Sequence, residues 1–425
     1  MAVGGRGRER IFRVTIALLV AASIETASTL AGLVLYGPAF FDTATVQRQR
    51  AAGAVEIAWL PGGEHHVGRR TEVLHPYAGF GLLDDRARSA SGGTGFRVDP
   101  RDLSPPRTRG AFVVMVLGGS VAELLASPGS GRERLSKRLT ALRPGGRVLV
   151  CNLAVAGYKE PQQLMTLAYF LINGARLDAV VNLDGFNEVV LPIVENFPSG
   201  VPLDFPRGWR SRIGSLDPEN RERGAEAVGL AARRRRLAAT LSRPPLSWSF
   251  TFGLIWRRWD GVLGRRIDAL QLETLAHLDA GRRSRPPTPG VLAEAVKIWA
   301  NSSIQLHRLC EANGIRYYHF LQPNLNVGGK PLAAEEIALI GDGSHPYRTH
   351  AIRGYPLLRA EGPRLLAAGV RFTDLTNVFE AVREPLYVDA CCHLGPRGNE
   401  LLADAIADAI VADVSGAGVT AGARQ

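Results

Sequence analysis

Short apolar runs alternate with stretches of helical periodicity through most of the chain. Between residues 111 and 184 these runs, such as Phe112–Leu117, are apolar on both faces. That pattern is typical of parallel strands buried between two layers of helices. It predicts strands at 111–117, 147–153, 178–184, 315–321 and 369–373, and helices at 121–142, 161–174, 292–313, 355–367 and 397–414.

The order of these elements predicts an α/β fold with a flavodoxin-like, doubly wound, five-stranded parallel sheet and right-handed crossovers. Ligands of such sheets bind outside the carboxyl ends of the strands, so the residues that follow each strand are the functional candidates. The alternation stops between Asn187 and Pro289. There we predict a helical insertion at about 200–290, with helices near 221–242 and 260–279.

An almost continuously apolar run, Val14–Tyr36, precedes the alternating part of the chain. At about 1.5 Å per residue it is long enough to cross a hydrocarbon core of about 30 Å. Four arginines among the first 13 residues predict a cytoplasmic N-terminus, with everything after Phe41 extracytoplasmic. A cleaved signal peptide is the alternative, because small residues such as Ala27 could form a cleavage site, but the length of the run favours retention. Glu25 lies in mid-span, where a carboxylate is costly unless it is neutral or paired.

These signals divide the chain into four regions. Residues 1–41 form a basic cytoplasmic tip and a transmembrane helix, and residues 42–110 form a juxtamembrane segment. The α/β domain is expected at 111–415, interrupted by the insertion. The Gly- and Ala-rich residues 416–425 are expected to be a flexible tail.

The net charge of +11 is concentrated in the insertion. Residues 201–290 contain 17 Arg and no Lys against 9 Asp or Glu. These arginines are not interleaved with a stacking platform or a recognisable DNA-binding motif, so we expect no nucleic-acid partner. A solvated helical surface is the simplest interpretation, and an anionic polymer or lipid surface is the functional alternative.

The insertion also holds an aromatic concentration that includes Trp248, Trp256 and Trp259. We expect these side chains to pack onto the core, with a membrane-surface or glycan contact as the alternative. The four cysteines are too few for a disulfide scaffold and lack CxxC spacing. The groups His65-His66 and Cys391-Cys392-His393 could ligate a metal but have no further ligands nearby, so we expect no metal site.

Ser120 ends the first predicted strand, after two glycines, and a helical pattern follows at once. A hydroxyl at that junction lies at a helix N-terminus, where free backbone N–H groups can stabilise an anion on the atom that the serine attacks. Ser120 is therefore a candidate nucleophile, and a purely structural N-cap is the alternative. The glycine spacing does not give GxGxxG, so we expect no nucleotide and no other cofactor.

Two further strand ends supply hydrogen-bond donors. Gly157 follows the second strand and could bring a backbone N–H against a substrate, since it has no Cβ. Asn187 follows the third strand, and its side-chain amide can donate to a developing oxyanion. The amides of Ser120 and Gly157 and the side chain of Asn187 together form a candidate oxyanion hole, although either of the latter two residues alone is typical of a turn.

His393 precedes the last predicted helix and is the candidate general base for the Ser120 proton. A carboxylate against its other ring nitrogen would fix the tautomer, and Asp389 is the nearest candidate. A single histidine before a helix is often structural. Its occurrence with the other three elements favours the catalytic interpretation.

Together, the four segments resemble the blocks of the SGNH/GDSL hydrolase superfamily, in the order that the family uses. Gly118–Ser120 is similar to the nucleophile block Gly-Asp-Ser, with glycine in the middle. Gly157 matches the block that contributes a glycine. Gly185–Glu188 matches the Gly-x-Asn-Asp block, and Asp389–His393 matches the Asp-x-x-His block. The resemblance implies the SGNH hydrolase fold over roughly 110–415. The segment His75–Phe80 and the N-terminal helix are similar to a bacterial subgroup of membrane-anchored members.

Two positions depart from the family pattern. Asp389 and His393 are four residues apart where the family has three, so a Ser120–His393 dyad is an alternative to a triad. Glu188 replaces the usual aspartate after Asn187, whose amide carries the role.

The resemblance implies a membrane-anchored, extracytoplasmic serine esterase acting on acyl esters, with O-acetyl groups of a cell-surface polysaccharide as the first substrate expectation. An O-acetyltransferase that passes the acyl group to a glycan hydroxyl would use the same residues. A non-catalytic glycan-binding or assembly protein is the third possibility, favoured by the extra residue before His393 and by the basic insertion.

Overall fold

The structure is a computed structural model. It describes residues 4–38, 71–83, 94–105, 108–142, 146–214, 217–279, 289–341, 343 and 345–422. The strands are β1 (Thr71–His75), β2 (Gly79–Leu83), β3 (Ala111–Gly118), β4 (Arg147–Asn152), β5 (Ala179–Asp184), β6 (Arg316–Leu321) and β7 (Arg371–Asp374). The helices are α1 (Gly4–Tyr36), α2 (Ser120–Ala126), α3 (Ser130–Leu139), α4 (Gln162–Ile172), α5 (Phe186–Leu191), α6 (Trp209–Gly214), α7 (Pro218–Leu241), α8 (Phe250–Asp279), α9 (Pro289–Ala312), α10 (Ala334–Ile340), α11 (Pro346–Ala367) and α12 (Pro396–Gly422).

Five of the strands form one parallel sheet in the order β4-β3-β5-β6-β7. Numbered along the chain, this is the order 2-1-3-4-5 of the flavodoxin-like fold, so the predicted fold class is confirmed. All residues of β3 and β5 are buried, as expected for central strands covered on both faces. The carboxyl ends of β3, β4 and β5 therefore lie side by side at one edge.

The chain divides into two compact units. The sheet unit comprises residues 65–210 and 282–425, and the helical unit comprises residues 1–64 and 211–281. The sheet unit holds the main hydrophobic core, and the helical unit is built from α1, α7 and α8. Within the described residues, α1 is the one helix long and apolar enough to cross a membrane.

Several predicted boundaries are wrong, for local reasons. The helix predicted over 121–142 is broken between α2 and α3 at Pro128, which lacks an N–H, and Gly129, which has a φ of +147°. Helix α8 begins at Phe250 rather than near residue 260. Helix α12 extends past the predicted end at Val414 into the stretch expected to be a flexible tail.

The antiparallel hairpin of β1 and β2 was not predicted. Its turn is stabilised by His75, whose Nδ1 accepts hydrogen bonds from the backbone amides of Tyr77 (3.2 Å) and Ala78 (3.0 Å). The hairpin is tied to the start of α4, where the Gln162 side chain donates to the carbonyl of Ala78 at 2.7 Å. It therefore supports the segment that follows β4.

The expected packing of the tryptophans onto the core is wrong. Trp256 is buried, but in a separate small cluster with Ala238 and Leu241 of α7. Trp248 and Trp259 are 72% and 55% exposed.

Candidate active site

The turn after β3 needs two glycines because backbone and side-chain atoms approach it closely. Gly118 has a φ of +136°, and a Cβ there would lie 2.1 Å from the carbonyl oxygen of Leu183. A Cβ on Gly119 would lie 2.2 Å from Nδ2 of Asn187. The same approach that excludes larger residues brings the Asn187 amide beside the backbone that precedes Ser120.

Ser120 is the first residue of α2, and Gly119 occupies the N-cap position. The N-cap alternative for Ser120 is therefore wrong. Its Oγ instead lies 2.7 Å from Nε2 of His393. The structure thus brings together two groups separated by 273 residues of sequence.

His393 is held by a loop that folds around the carboxylate of Asp389. Oδ1 of Asp389 accepts hydrogen bonds from the backbone amides of Cys391 (3.0 Å), Cys392 (3.0 Å) and His393 (3.2 Å). Oδ2 lies within hydrogen-bond distance of Nδ1 of His393. The four-residue spacing therefore permits the contact between Asp389 and His393, because the backbone of residues 391–393 folds around the Asp389 carboxylate.

The electrostatics of this pair favour an ionised aspartate. Burial acts to raise the pKa of Asp389, but hydrogen bonds from the His393 ring and from the amides of His393 and Cys392 outweigh it and hold the pKa below its ordinary value. An anionic Asp389 accepts the Nδ1–H of His393. That tautomer leaves Nε2 as an acceptor for the Ser120 hydroxyl.

Asn187 and the loop that carries Gly157 both lie against the Ser120 turn. The amide of Val155 donates to the carbonyl of Gly118 at 3.2 Å, which joins the loop after β4 to the end of β3. Nδ2 of Asn187 donates to the carbonyl of Tyr158 at 2.7 Å. An amide nitrogen carries two hydrogens, so this bond orients Asn187 and leaves a second N–H for a bound group.

Two buried glutamates, whose role was not predicted, position the loop that carries Gly157 and the helix that carries Asn187. Glu123 accepts from the backbone amide of Ala156 at 2.6 Å and pairs with Arg97 at 2.5 Å, which fixes the loop that carries Gly157. Glu188 accepts from the amide of Gly185 at 2.8 Å and so caps α5, the helix that carries Asn187. The sequence signal for this role was a Glu three residues beyond each strand-end turn.

Beneath the site lies a second group of acids, Glu160, Asp184 and Glu188, all buried. Burial and the mutual repulsion of these carboxylates raise the pKa of Glu160 well above its ordinary value and that of Glu188 to about 8. Asp184 is held by the Trp299 indole N–H at 2.7 Å and lies 2.9 Å from Nε2 of His319. This His319–Asp184 pair is enclosed in the core and has no access to Ser120 through solvent.

A polar rim borders Gly157. A Cβ on this glycine, whose φ is +80°, would lie 2.2 Å from Cδ of Arg207. Arg207 is ion-paired to Glu195 at 2.5 Å, and the Tyr347 hydroxyl lies 3.5 Å from the same carboxylate. The Tyr347 ring also contacts Phe186, the residue before Asn187, with 6.1 Å between ring centroids.

The segment that carries Arg207 is held by a buried lysine. Lys159 donates to the carbonyl oxygens of Leu203 and Phe205, the latter at 2.6 Å. Burial lowers the pKa of Lys159 to about 8. Sequence reasoning gave no sign of this cluster, because its members come together only in the folded chain.

The candidate metal ligands are arranged unfavourably for that role. The ligand atoms of Cys391, Cys392 and His393 lie within 4.8 Å of one another. Both ring nitrogens of His393, however, are engaged by Ser120 and Asp389. His65-His66 lies outside the described residues.

No protein-family model matches the sequence, and no curated protein matches it. Among solved structures, the chain is similar to the acetyl xylan esterase AlAXEase, with 12% identity, coverage of 70% of this chain and 100% of that one, and a TM-score of 0.37. It is also similar to a GDSL-like lipase from Bacteroides thetaiotaomicron (10% identity, 75% and 94% coverage, TM-score 0.35). A third similar structure is the acetylxylan esterase Axe2 from Geobacillus stearothermophilus (10% identity, 74% and 96% coverage, TM-score 0.34). At these values the likeness adds no weight to a functional assignment, which depends on the geometry of the site.

Proposed function

We propose that this protein is a membrane-anchored serine esterase of the SGNH type that hydrolyses acyl esters. The observation that carries the proposal is the continuous relay from the Ser120 hydroxyl through His393 to Asp389, at the carboxyl edge of a parallel sheet. A nucleophile, a base within hydrogen-bond reach and a group that orients the base are the parts that acyl transfer requires.

The reaction proceeds in two halves on Ser120. Oγ attacks the ester carbonyl carbon while Nε2 of His393 takes the hydroxyl proton, and the tetrahedral intermediate then releases the alcohol, which receives that proton. Water attacks the resulting acyl-serine, with His393 again as the base. Release of the carboxylic acid restores the Ser120 hydroxyl.

The negative charge on the carbonyl oxygen is stabilised by the backbone amides of Ser120 and Gly157 and by the second N–H of Asn187. One such donor is typically worth about 3 kcal/mol of barrier. The hydrogen bond from Asn187 to the carbonyl of Tyr158 holds that amide in place before the charge develops. Preorganisation of this kind requires no rearrangement during the reaction.

The side chains that border Gly157 support the substrate class that we propose. Arg207, Glu195 and Tyr347 offer charged, hydrogen-bonding and aromatic groups beside Gly157. Such groups suit the hydroxyls and the ring face of a sugar better than a long acyl chain. We therefore assign short acyl esters of a carbohydrate, with an O-acetylated cell-surface polysaccharide as the first candidate, and helix α1 as the membrane anchor.

The test is hydrolysis of 4-nitrophenyl acetate by the full chain in detergent micelles. Ser120→Ala should lower kcat/KM by about 10³-fold or more, because removal of a nucleophile leaves only binding and the oxyanion hole. Ser130→Ala is the matched control, since the Ser130 hydroxyl donates to the carbonyl of Pro396 and takes no part in the proposed relay. Equal activity of Ser120→Ala and the parent chain would remove the proposed nucleophile.

A phosphonate probe separates catalysis from a glycan-binding role. The probe should label Ser120, identified by peptide mass, and His393→Ala should abolish labelling. Glycan binding without labelling would favour the non-catalytic alternative. Incubation with acetylated donor and acceptor glycan then distinguishes hydrolysis, which yields free acetate, from transfer, which yields acetylated acceptor.

A further inference from the structure

The helical unit contains a polar contact at the midpoint of the apolar run Val14–Tyr36 of helix α1. The carboxylate of Glu25 accepts hydrogen bonds from the Ser249 hydroxyl and from the backbone amides of Phe250 (2.9 Å) and Thr251 (3.3 Å). The hydroxyls of Thr251 and Ser28 are also hydrogen-bonded, at 2.9 Å. The acid that is costly in the middle of a span is therefore supplied with donors by the start of α8.

These contacts fix the depth of α8 relative to α1. Glu25 lies beside Ser249, and Tyr36 lies beside Arg257, whose guanidinium carbon is 4.3 Å from the ring centroid. The two helices therefore run in the same direction. From Glu25 to Tyr36 a helix rises about 16 Å, which is half of a hydrocarbon core of about 30 Å.

The sequence of the α7–α8 hairpin changes at the corresponding level. Between Leu237 and Trp256 the one charged residue is Arg243, whereas Arg233–Arg236 precede this stretch and Arg257-Arg258 follow it. We call residues 237–256 the hairpin tip. Apart from the exposed Arg243, the tip carries no charge, and its base is strongly basic.

The two helices of the hairpin are joined both at the tip and at the base. At the tip, Trp256 is buried against Ala238 and Leu241. At the base, Arg234 forms a two-bond ion pair with Asp260, at 2.9 and 3.0 Å. The hairpin is thus a defined element, and Trp248 is 72% exposed at its end.

We propose that the hairpin tip is a re-entrant segment that enters the bilayer beside α1 and reaches about its middle. The proposal rests on the membrane anchoring by α1 given above. The bilayer is the occupant that fits, because Glu25 places the start of α8 at mid-span and because the tip, which exposes Trp248 and carries Arg243 as its one charge, is bounded by arginines. The arginines at the base of the hairpin would then lie at the membrane surface. Guanidinium groups bind the phosphates of lipid headgroups with paired hydrogen bonds.

The re-entrant geometry also places backbone that is not α-helical at membrane depth. Residues 242–249 connect α7 to α8 and include one 3-10 turn, Leu246–Trp248. Irregular backbone in a bilayer is tolerated where its polar groups find partners in protein. The amide of Ser247 donates to Arg243 and that of Trp248 to Pro245, both at 3.1 Å, and Ser249 is bound to Glu25.

The experiment is tryptophan quenching in the full chain, reconstituted in bilayers with lipids brominated at shallow or deep acyl positions. The signal of Trp248 is taken as the difference between the parent chain and Trp248→Phe. Relative to unbrominated lipid, we expect lipid brominated at deep acyl positions to reduce this difference signal at least twofold. We expect aqueous acrylamide to quench it little. Trp209→Phe is the matched control, and its difference signal should not depend on bromination.

Two outcomes overturn the proposal separately from the anchor. If the chain resists extraction at alkaline pH but the Trp248 signal is quenched by acrylamide and not by brominated lipid, α1 spans the bilayer and the hairpin lies in water. If alkaline extraction removes the chain from the bilayer, the anchor itself is wrong. In Glu25→Leu, loss of the hydrogen bonds to α8 should reduce quenching by deep bromine at least twofold, and unchanged quenching would contradict the role given to Glu25.

Discussion

Asp389 and Glu188 are two buried or half-buried carboxylates of the same unit, and their surroundings move their pKa values in opposite directions. Asp389 receives three backbone amides and the His393 ring, which hold its pKa below the ordinary value against the effect of burial. Glu188 is buried and faces Asp184, and these two effects outweigh its hydrogen bonds from backbone amides and from the Gln163 side chain, so its pKa rises to about 8. The balance of burial and repulsion against hydrogen-bond donors decides which acid carries a charge.

This difference separates two roles. A permanent negative charge beside His393 can stabilise the imidazolium that forms when Ser120 loses its proton. A protonated acid beneath the sheet edge cannot do this, but it can cap α5 and hold Asn187. The site therefore has an ionised aspartate beside His393 and, below it, Glu160 and Glu188, whose pKa values are raised.

The strongest test makes the same isosteric change in both acids. Asp389→Asn should lower kcat by about 10³ to 10⁴-fold, because the amide cannot stabilise the imidazolium and favours the wrong tautomer of His393. Glu188→Gln should lower kcat less than about tenfold, since a Gln oxygen can still accept from the amide of Gly185. The measurement is 4-nitrophenyl acetate hydrolysis under saturating substrate. Similar losses in the two variants would erase the distinction, and an unaffected Asp389→Asn would favour the Ser120–His393 dyad.

The next test concerns the rim itself and uses two glycines with nearly equal φ. Gly157 has a φ of +80° and faces Arg207, whereas Gly174 has a φ of +84° and no atom within 4 Å of the place that a Cβ would occupy. Both Ala variants carry the same backbone strain, of order 1 kcal/mol. Only Gly157→Ala must also displace Arg207 and shift a proposed oxyanion donor, so we expect about a 10²-fold loss of kcat/KM there and nearly full activity in Gly174→Ala.

If instead both glycine variants keep their activity, the amide of Gly157 does not serve the oxyanion. Thermal unfolding of both proteins provides the control, because the midpoint of Gly174→Ala reports the backbone strain alone. Any further fall in the midpoint of Gly157→Ala reports the displacement of Arg207.

A smaller effect is expected at Arg207. Arg207→Ala removes a rim group beside Gly157 and leaves the Ser120–His393 contact untouched, so KM for an acetylated oligosaccharide should rise about tenfold with kcat nearly unchanged. Such a split indicates lost binding common to ground and transition states. Arg134→Ala, which breaks a comparable ion pair with Asp404, is the matched control and should leave KM unchanged. An unchanged KM in Arg207→Ala would exclude the rim from substrate recognition.

The sheet was predictable from the sequence because its central strands carry their own signal. All residues of β3 and β5 are apolar or buried, and each strand ends at a glycine-containing turn. The hairpin of β1 and β2 was missed because strands of five residues with mixed polarity have little periodicity. Its turn depends on His75, a single side chain that accepts two backbone amides.

The candidate site was predictable at its strand ends but not in its supporting layer. Ser120, Gly157 and Asn187 follow three adjacent strands, so sheet topology alone brings them to one edge. The spacing of Asp389 and His393 could not be judged without the loop, because the contact depends on three backbone amides turning toward Oδ1. Arg207 reaches Gly157 only through tertiary contacts that no local pattern encodes.

The smallest expected effect is on the pH dependence of stability, and it tests the raised pKa of Glu188 directly. The folded-state pKa of Glu188, about 8, lies above the ordinary value of 4.5. The folded chain therefore holds this proton more tightly than the unfolded chain, so the stabilisation is complete below about pH 4.5 and is lost as the pH rises through about 8. For a single proton the loss is at most about 1.4 kcal/mol per pH unit.

Glu188→Gln removes this titration, so its thermal midpoint should fall less between pH 5 and pH 8 than that of the parent chain. Glu133→Gln on exposed α3 is the control and should follow the parent curve. Parallel curves for Glu188→Gln and the parent would mean that Glu188 gains no proton on folding. Glu188 would then be ionised like Asp389, and the two carboxylates would differ only in their positions.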